Sequence, residues 1–204
     1  MRPAPQIAVV DSGVANLASV MAALRRIGAE AEVTDDPERI RKAGRVILPG
    51  VGAAGAAMAQ LGRKNLRETL SALTQPVLGI CLGMQLLFAR SFEGKGEPIQ
   101  CLGVLSGDIR AIPAGRGTPV PHMGWNRLRP LKEEHPLLRG IAPGDYAYFV
   151  HSYAAAIDEA AIAAADYGIS FAAMAGTRNF FGCQFHPERS GAVGRRILEN
   201  FAGM

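Results

Sequence analysis

Residues 77–88, with the sequence VLGICLGMQLLF, restrict the folds open to this chain more than any other stretch. The segment starts after Pro76 as a short apolar run, which is typical of a buried parallel strand, and continues with apolar residues at helical spacing. Cys81 lies where the predicted strand meets the predicted helix, between Gly79 and Gly83. Two flanking glycines allow a tight turn that exposes the side chain of the middle residue. The stretch therefore predicts a cysteine on a sharp strand-to-helix turn.

Two interpretations of Cys81 follow from this stretch alone. A helix that begins directly after the cysteine places unpaired backbone N–H groups and the positive end of the helix dipole beside the sulfur, which favours thiolate over thiol. Cys81 would then be a nucleophile. The other interpretation is an ordinary buried cysteine in a strand, because cysteine is among the residue types most often found inside proteins. The choice depends on whether the chain also supplies a base.

The composition is that of a globular protein of enzyme size. The chain has 204 residues, of which 49% are hydrophobic and 20% charged, and we expect one domain over residues 1–204. We find no apolar run long enough for a membrane span, and residues 1–6 are too short and too polar for a secretory signal, so we expect a cytoplasmic protein. The net charge of +4 comes from scattered basic residues, which argues against nucleic-acid binding.

The cysteines predict neither a disulfide framework nor a structural zinc site. Cys81, Cys101 and Cys183 form no CxxC pair, and their number is odd. We interpret Cys101 and Cys183 as structural residues, and we expect no metal and no cofactor.

Strand candidates alternate with helical segments through the first half of the chain. Asn16 is placed to cap a first helix that Gly28 ends, and Asp36 followed by Pro37 has the order of residues that opens a helix. Such alternation is typical of a parallel sheet with right-handed crossovers, in which ligands bind at the carboxyl ends of the strands. The predicted strands cover residues 7–11, 31–34, 45–48 and the run before Cys81, and the predicted helices cover residues 16–27, a short segment from residue 36, residues 54–61 and residues 65–73.

The second half of the chain is richer in strand candidates. Residues 92–130 contain many glycines and prolines, and we expect loops and antiparallel strands there. We predict an α/β fold with a mostly parallel central sheet, helices on both faces, and antiparallel strands in the second half. The predicted strands of this half cover residues 103–105, 109–112, 146–150, 161–165, 171–175 and 180–185, and a helix over residues 192–201 closes the chain.

His186 is the best candidate for a base that serves Cys81. It ends the apolar run of residues 181–185, and Glu188 follows two positions later. Residues two apart at the end of a strand point to the same side, so the carboxylate can fix the tautomer of the imidazole and stabilise the imidazolium. Together with the cysteine turn, this pair predicts a Cys81–His186–Glu188 catalytic triad.

The other histidines are weaker candidates. His135 lies in a polar loop and is expected at the surface, whereas His122 and His151 fit either packing or a site. A thiolate that attacks a carbonyl also needs hydrogen-bond donors for the oxyanion that forms. Residues 49–52, PGVG, form a glycine-bearing loop after a predicted strand, so we expect the N–H of Val51 as one donor and that of Leu82 as the other.

Three motifs together resemble the class I, or triad-type, glutamine amidotransferases. They are GICLGMQ at residues 79–85, the PGVG loop, and FHPE at residues 185–188, in the family's order of Cys, His and Glu. Within that family, PHMGWN at residues 121–126 and YFVHSY at residues 148–153 resemble the glutaminase subunits of imidazole glycerol phosphate synthases. The similarity covers nearly the whole chain. Arg189 departs from the pattern, because a lysine often follows the His-Pro-Glu triplet.

The resemblance implies a glutaminase. Cys81 would attack the side-chain amide of glutamine, His186 would pass a proton to the departing ammonia, and water would hydrolyse a glutamyl thioester. The positions implied to hold the substrate glutamine are Gly50, Gly52, Gln85, Glu93, Ser152 and Tyr153.

A glutaminase of this size has no domain left in which ammonia could be used, so it needs a synthase partner. The resemblance implies a heterodimer with a (β/α)8-barrel cyclase of histidine biosynthesis, and we expect Trp125 and His122 at the interface. Trp125 is open to a second interpretation, core packing, although tryptophan is enriched at interface hot spots. Two alternatives for the whole protein remain. One is a glutaminase of another pathway, such as pyridoxal phosphate or anthranilate synthesis, and the other is a noncatalytic regulator, against which the intact triad argues.

Overall fold

The computed structural model describes residues 6–13, 15–94 and 96–204. Strands and helices alternate in the first half, and strands dominate the second. The strands are β1 (Ile7–Val10), β2 (Ala31–Thr34), β3 (Arg45–Gly50), β4 (Val77–Cys81), β5 (Arg90–Ser91), β6 (Ile99–Gln100), β7 (Asp108–Ala111), β8 (His122–Arg127), β9 (Arg129–Pro130), β10 (Tyr146–His151), β11 (Tyr153–Ala155), β12 (Ala161–Tyr167), β13 (Ile169–Thr177) and β14 (Phe180–Cys183). The helices are α1 (Leu17–Arg26), α2 (Pro37–Lys42), α3 (Ala54–Arg63), α4 (Leu66–Ser71), α5 (Leu82–Leu87) and α6 (Gly191–Ala202), with 3-10 turns at Pro136–Leu138 and Pro187–Arg189.

The main sheet, within the described residues, has eight strands in the order β2-β1-β3-β4-β14-β13-β12-β9. The first five strands in this order, from β2 to β14, pair with one another in parallel. The pairs β14-β13, β13-β12 and β12-β9 are antiparallel. Strands β10 and β8 form an antiparallel pair beside it, and β11, β7, β5 and β6 form a smaller sheet. The predicted fold class, a mostly parallel α/β sheet with antiparallel strands in the second half, is confirmed.

Both faces of the parallel sheet are covered by helices. In β1, Ile7 and Val9 pack into the core cluster that contains residues of α1 and α6, whereas Ala8 and Val10 pack into the cluster that contains residues of α2, α3, α4 and α5. Side chains alternate between the two faces of a strand, so a strand that is apolar at every position must be covered on both sides. Among the helices that the structure describes, none is long and apolar enough to cross a membrane.

The predicted helix starts at Asn16 and Asp36 are confirmed. The Asn16 side chain accepts a hydrogen bond from the N–H of Ser19, and the Asp36 side chain accepts from the N–H groups of Glu38 and Arg39. Each side chain satisfies amide donors that have no partner within the first turn of the helix.

The strand predicted at residues 103–105 is wrong. The backbone N–H groups of this segment donate to carbonyls at the end of α5, for example from Val104 to Leu87 O and from Gly103 to Phe88 O. The helix leaves carbonyl groups without partners at its carboxyl end, and this segment supplies donors for them. A short apolar run therefore serves as a helix cap, and the strand of this region lies later, at β7.

Candidate active site

Cys81 lies at the centre of the sheet, at the carboxyl end of β4 and directly before α5. Its backbone has φ of 53° and ψ of −111°. A residue other than glycine pays about 1–3 kcal/mol for such a conformation, so the surrounding structure must hold it in place. Strand β3 lies on one side of β4, with Gly50 in register with Cys81, and β14 lies on the other.

The flanking glycines are required by close packing at this turn. A Cβ atom on Gly79 would lie 2.6 Å from the backbone nitrogen of Met84, and one on Gly83 would lie 1.7 Å from the carbonyl oxygen of Leu48. Both distances are shorter than atomic contact permits. The glycines let α5 begin directly against β3 and β4, which is what turns the chain so sharply at Cys81.

His186 reaches Cys81 because β14 is the parallel neighbour of β4. Cys183, the last residue of β14, is in register with Ile80, so the chain leaves the sheet beside the nucleophile position. The Nδ1 atom of His186 lies 2.8 Å from Oε1 of Glu188, and both side chains are almost fully buried. Burial lowers the pKa of His186, but the Cys81 sulfur and then the Glu188 carboxylate raise it more, and the net result is a pKa raised to about 10.

Ser190 anchors the turn that carries His186 and Glu188, and sequence reasoning missed it. Its hydroxyl donates to the carbonyl oxygen of His186 at 2.7 Å and accepts from the N–H of Tyr148 in β10 at 2.9 Å. The N–H of His186 donates in turn to the carbonyl of Tyr148. The turn is thus tied to β10 at several points, which orients the imidazole before any substrate binds.

A pocket of about 260 Å³ opens in front of Cys81. It brings together most of the predicted site residues at the carboxyl ends of β3 and β4 and the start of β11. The residues that line it are Val51, Gly52, Cys81, Leu82, Gln85, Glu93, Pro121, Val150, His151, Ser152, Tyr153 and His186.

Two of the residues predicted for catalysis or substrate binding do not line the pocket. Glu188 lies behind His186, as the third member of a triad does. Gly50 does not face the pocket either, because it is the buried end of β3, where a Cβ atom would lie 2.9 Å from the nitrogen of Gly83. The expectation that Gly50 contacts substrate is therefore corrected: its lack of a side chain makes room for the Cys81 turn.

Gln85 and Glu93 both meet the pocket with part of their hydrogen-bonding capacity already used. The side-chain amide of Gln85 donates from Nε2 to the carbonyl of Tyr153 and to Oε1 of Gln184, each at 2.9 Å. What it can offer a ligand is its carbonyl oxygen. Oε2 of Glu93 accepts from the N–H of Ala54 at the start of α3, a helix whose preceding residue offers no side-chain cap. Glu93 thus contributes negative charge to the pocket while it caps a helix.

The Cys81 sulfur contacts two groups that sequence reasoning missed. It lies 3.7 Å from the carbonyl oxygen of Val150, to which the thiol can donate, and 3.8 Å from Nε2 of Gln184. Gln184 is fully buried and precedes Phe185 and His186 in the chain. Its glutamine amide, a polar group at the end of an apolar run, was the available sequence signal.

His122 and His151 form a buried hydrogen-bonded pair, with Nδ1 of His122 2.9 Å from Nε2 of His151. Nδ1 of His151 lies 2.9 Å from the carbonyl of Tyr153, so this nitrogen must carry a proton, and Nε2 then accepts from His122. Burial lowers the pKa of each histidine to about 4, so both are neutral at pH 7. The sequence allowed either core packing or a site position for His151, and in the structure this residue is both packed and part of the pocket lining.

The expectation for His122 at the interface needs correction. Its side chain is only 2% exposed, and its ring stacks between Phe149 and Tyr167. On β8 the side chains alternate between a buried face and an exposed one, and His122 is on the buried face. Trp125 is on the exposed face with 55% of its surface accessible, and Met123 beside it is 63% exposed. Core packing of Trp125 is therefore excluded in this structure.

The remaining cysteines and histidine have local roles. Burial raises the pKa of Cys101 to about 11 and raises that of Cys183 well above its ordinary value, so both stay thiols. Nδ1 of His135 accepts from the N–H of Leu137, and the residue caps a 3-10 turn. Across the residues that the structure describes, no cluster of three His, Cys, Asp or Glu side chains could hold a metal ion.

Residues 8–203 match the family model described as glutamine amidotransferase class-I. The chain belongs to this family. Several proteins that bear the name "Imidazole glycerol phosphate synthase subunit HisH" are similar to this chain over nearly their full length. The one from Shewanella loihica is 50% identical, covering 98% of this chain and 91% of its own. The one from Xylella fastidiosa is 49% identical, covering 98% of both chains.

Solved structures of amidotransferases share the fold at low sequence identity. A putative GMP synthase protein from Thermoplasma acidophilum has a TM-score of 0.73 and 18% identity, covering 100% of this chain and 94% of its own. PurLQS from Thermotoga maritima also has a TM-score of 0.73, with 20% identity, covering 100% of this chain and 99% of its own. These likenesses support the architecture of the family alone.

Proposed function

We propose that this chain is the glutaminase subunit of an imidazole glycerol phosphate synthase, one domain over residues 1–204 that hydrolyses L-glutamine to L-glutamate and ammonia. The observation that carries the reaction is a single pocket in which the Cys81 sulfur, on a strained turn, meets the buried His186–Glu188 pair. The pathway is supported by relatives about half identical over nearly the whole chain that bear the name of a subunit of that synthase.

Cys81 is the nucleophile of this mechanism. His186 takes the thiol proton, and the sulfur bonds to the carbonyl carbon of the glutamine side-chain amide. The C–N bond then breaks as His186 gives its proton to the leaving nitrogen, so ammonia departs and a glutamyl thioester remains. Water, deprotonated by His186, attacks the thioester, and the C–S bond breaks to release glutamate. The raised pKa of His186 favours the imidazolium that the leaving nitrogen needs, and Glu188 stabilises it through Nδ1.

The oxyanion of each tetrahedral intermediate needs hydrogen-bond donors, and we assign them to the N–H groups of Val51 and Leu82. Leu82 is the first residue of α5, where backbone N–H groups have no partner within the helix. Val51 follows β3, whose last residue is in register with Cys81, and both residues line the pocket. Gly52, with φ of 89°, lets the chain turn away from the substrate at this point.

The rest of the pocket suits a zwitterionic amino acid. The carbonyl oxygen of Gln85 and the carboxylate of Glu93 can accept from the α-ammonium group of glutamine. Ser152 and Tyr153, which also line the pocket, offer hydroxyl and backbone N–H groups for its carboxylate. These assignments place the substrate's charged end away from the sulfur and its amide in front of it.

Ammonia made here must reach a second active site before it is protonated or lost to water. In this proposal the partner is a (β/α)8-barrel cyclase, which forms imidazole glycerol phosphate and an aminoimidazole carboxamide ribonucleotide, in a cytoplasmic heterodimer. The exposed face of β8 and β10, with Met123 and Trp125, is the docking surface we assign. Val150, in register with Met123, also lines the pocket, so this surface lies directly beside the reaction centre.

Replacement of the nucleophile tests the proposal. Cys81→Ser and Cys81→Ala should abolish ammonia release from glutamine by the complex with the cyclase, while cyclase activity supplied with ammonium salts should persist. Cys101→Ser is the matched control, because that sulfur lies outside the pocket, and it should retain glutaminase activity. Glutamine-dependent turnover by the Cys81→Ala variant at more than a trace of the parent rate would refute the mechanism.

A further inference from the structure

Gln184 lies between two groups of the pocket and touches the reacting sulfur. Its side chain is 0% exposed, its Oε1 atom is 2.9 Å from Nε2 of Gln85, and its Nε2 atom is 3.8 Å from Sγ of Cys81. A buried amide costs free energy unless both of its ends are hydrogen-bonded, so its orientation depends on its partners.

The orientation of the Gln184 amide follows from one backbone carbonyl. Tyr153 O can only accept, so the side-chain atom of Gln85 that lies 2.9 Å from it must be the NH₂ group. The same NH₂ group faces Gln184, so the Gln184 atom that meets it must be the oxygen. The remaining end of the Gln184 amide, which faces Cys81, is therefore the NH₂ group. The sulfur is presented with a donor.

We propose that Gln184 is a further catalytic residue, which donates a hydrogen bond to the Cys81 sulfur and so stabilises the thiolate that attacks glutamine. A donor stabilises a charged acceptor more than a neutral one, and a thiolate accepts more strongly than a thiol. Gln85 holds the amide in the donating orientation and couples it to the substrate-binding wall. The inference rests on the proposed function in taking Cys81 as the nucleophile.

Other titratable groups lie around the sulfur. His186 with Glu188 lies on one side, Cys183 lies on β14, and His151 and Glu93 share the pocket. All of them remain in a variant of Gln184. A change in the protonation of Cys81 between the parent and the uncharged Gln184→Met variant therefore reports on the loss of the amide.

The test compares Gln184→Glu with Gln184→Met in the full chain. The rate of Cys81 alkylation by iodoacetamide is measured against pH, with modification quantified on the Cys81 peptide by mass spectrometry, because only the thiolate reacts. The Met variant lacks the donor, so the pH midpoint should rise by about one unit and alkylation below the midpoint should slow about tenfold. The Glu variant still accepts from Gln85 but brings a negative charge to the sulfur in place of a donor, so its midpoint should rise further than that of the Met variant.

A purely structural role predicts a different result. If Gln184 served only as an acceptor for Gln85, Gln184→Met would disturb glutamine binding and raise KM, but its alkylation midpoint would equal the parent's. An unchanged midpoint in either variant therefore overturns the inference. Gln75→Glu is the matched control, since this glutamine donates to backbone carbonyls of Ile40 and Arg41, away from the pocket, and its midpoint should equal the parent's.

Steady-state kinetics of the complex with the cyclase separate this inference from the proposed function. Loss of thiolate stabilisation should lower kcat for glutamine in Gln184→Met more than it raises KM. If the parent complex releases no ammonia from glutamine, the proposed function fails, yet the alkylation comparison still tests the contact because it needs no glutamine. An active parent whose Gln184→Met variant keeps the parent kcat overturns the inference alone.

Discussion

Replacing Glu188 by glutamine should lower the pKa of His186 while leaving the site's shape intact. The amide can still accept from Nδ1 of His186, which lies 2.8 Å from Oε1 in the parent, but its negative charge is gone. The Cys81 sulfur and the Glu188 carboxylate together outweigh the effect of burial and raise the pKa of His186 to about 10. One charge-assisted hydrogen bond is worth roughly 1.5–3 kcal/mol, so we expect the pKa to fall by about one to two units.

The assay is an NMR titration of the histidine ring nitrogens. The chain has only four histidines, so each ring can be followed separately. His122 and His151, whose pKa values burial lowers to about 4, should stay neutral above pH 6 in both proteins and act as internal references. Glu199→Gln is the matched control, because Glu199 pairs with Arg195 on the surface, and it should leave the His186 titration unchanged.

Stability should follow the same titration. A histidine whose pKa is higher in the folded state stabilises the protein fully below its unfolded pKa, and this contribution is lost as the pH rises through the folded value. The parent should therefore lose stability between about pH 6.5 and pH 10, and Glu188→Gln should lose less over that interval. The glutaminase rate of Glu188→Gln should fall less, relative to the parent, than the rate of His186→Ala. If His186 titrates at the same pH in the parent and in Glu188→Gln, the carboxylate does not stabilise the imidazolium and the reasoning is wrong.

Three further predictions follow from particular positions. Gly83→Ala should lower the free energy of unfolding, measured by urea titration, by at least about 2 kcal/mol, because the new Cβ would lie 1.7 Å from Leu48 O. Gly96→Ala is the control: open space surrounds this position, so the free energy of unfolding should change by less than about 0.5 kcal/mol. Trp125→Ala should weaken cyclase binding, measured by calorimetry, about thirtyfold without changing the stability of the chain, whereas Val33→Ala, at an exposed position on β2, should leave binding unchanged. Equal affinities of the parent and Trp125→Ala for the cyclase would exclude the assigned surface. Glutaminase rates should rise when cyclase is added to the chain, and rise again when the cyclase carries its ligand. The increase should reach about a thousandfold if the peptide before Gly52 must turn its N–H toward the oxyanion site, whereas equal rates for the chain alone, with cyclase and with ligand-bound cyclase would indicate a preformed site.

The structure limits how a peptide flip in the loop at residues 49–52 can be tested by substitution. A β-branched residue in place of Gly50 would restrict the backbone of this loop. In the structure such a side chain would meet Gly83 N at 2.9 Å and Leu82 Cβ at 3.0 Å, so it would displace the Cys81 turn itself. At Gly52 no atom lies near the Cβ position, but φ of 89° strains any residue that has a side chain, so a β-branched residue there would disturb the loop as well.

The sequence alone determined the features that depend on neighbours along the chain. The alternation of apolar strands with helices, the caps at Asn16 and Asp36, and the glycine–cysteine turn are all encoded within a few residues, and local propensity and backbone geometry decide them. The combination of Cys81 with a His-Pro-Glu triplet was visible because their chemistry is restrictive. The structure brings Cys81 and His186 into one pocket, with Glu188 behind His186, through the pairing of β4 with β14.

Tertiary structure decided what depends on contacts between distant segments. The run at residues 103–105 has strand composition, but it caps α5 because free carbonyls there need donors. His122 is buried and Trp125 is exposed, although both lie on β8. The sequence does not tell which face of this strand is covered, because that depends on how β8 and β10 pack against the main sheet. Gln184 is close to His186 in the sequence, yet its donor faces Cys81 only because Gln85 and the Tyr153 carbonyl, from two other elements, orient its amide.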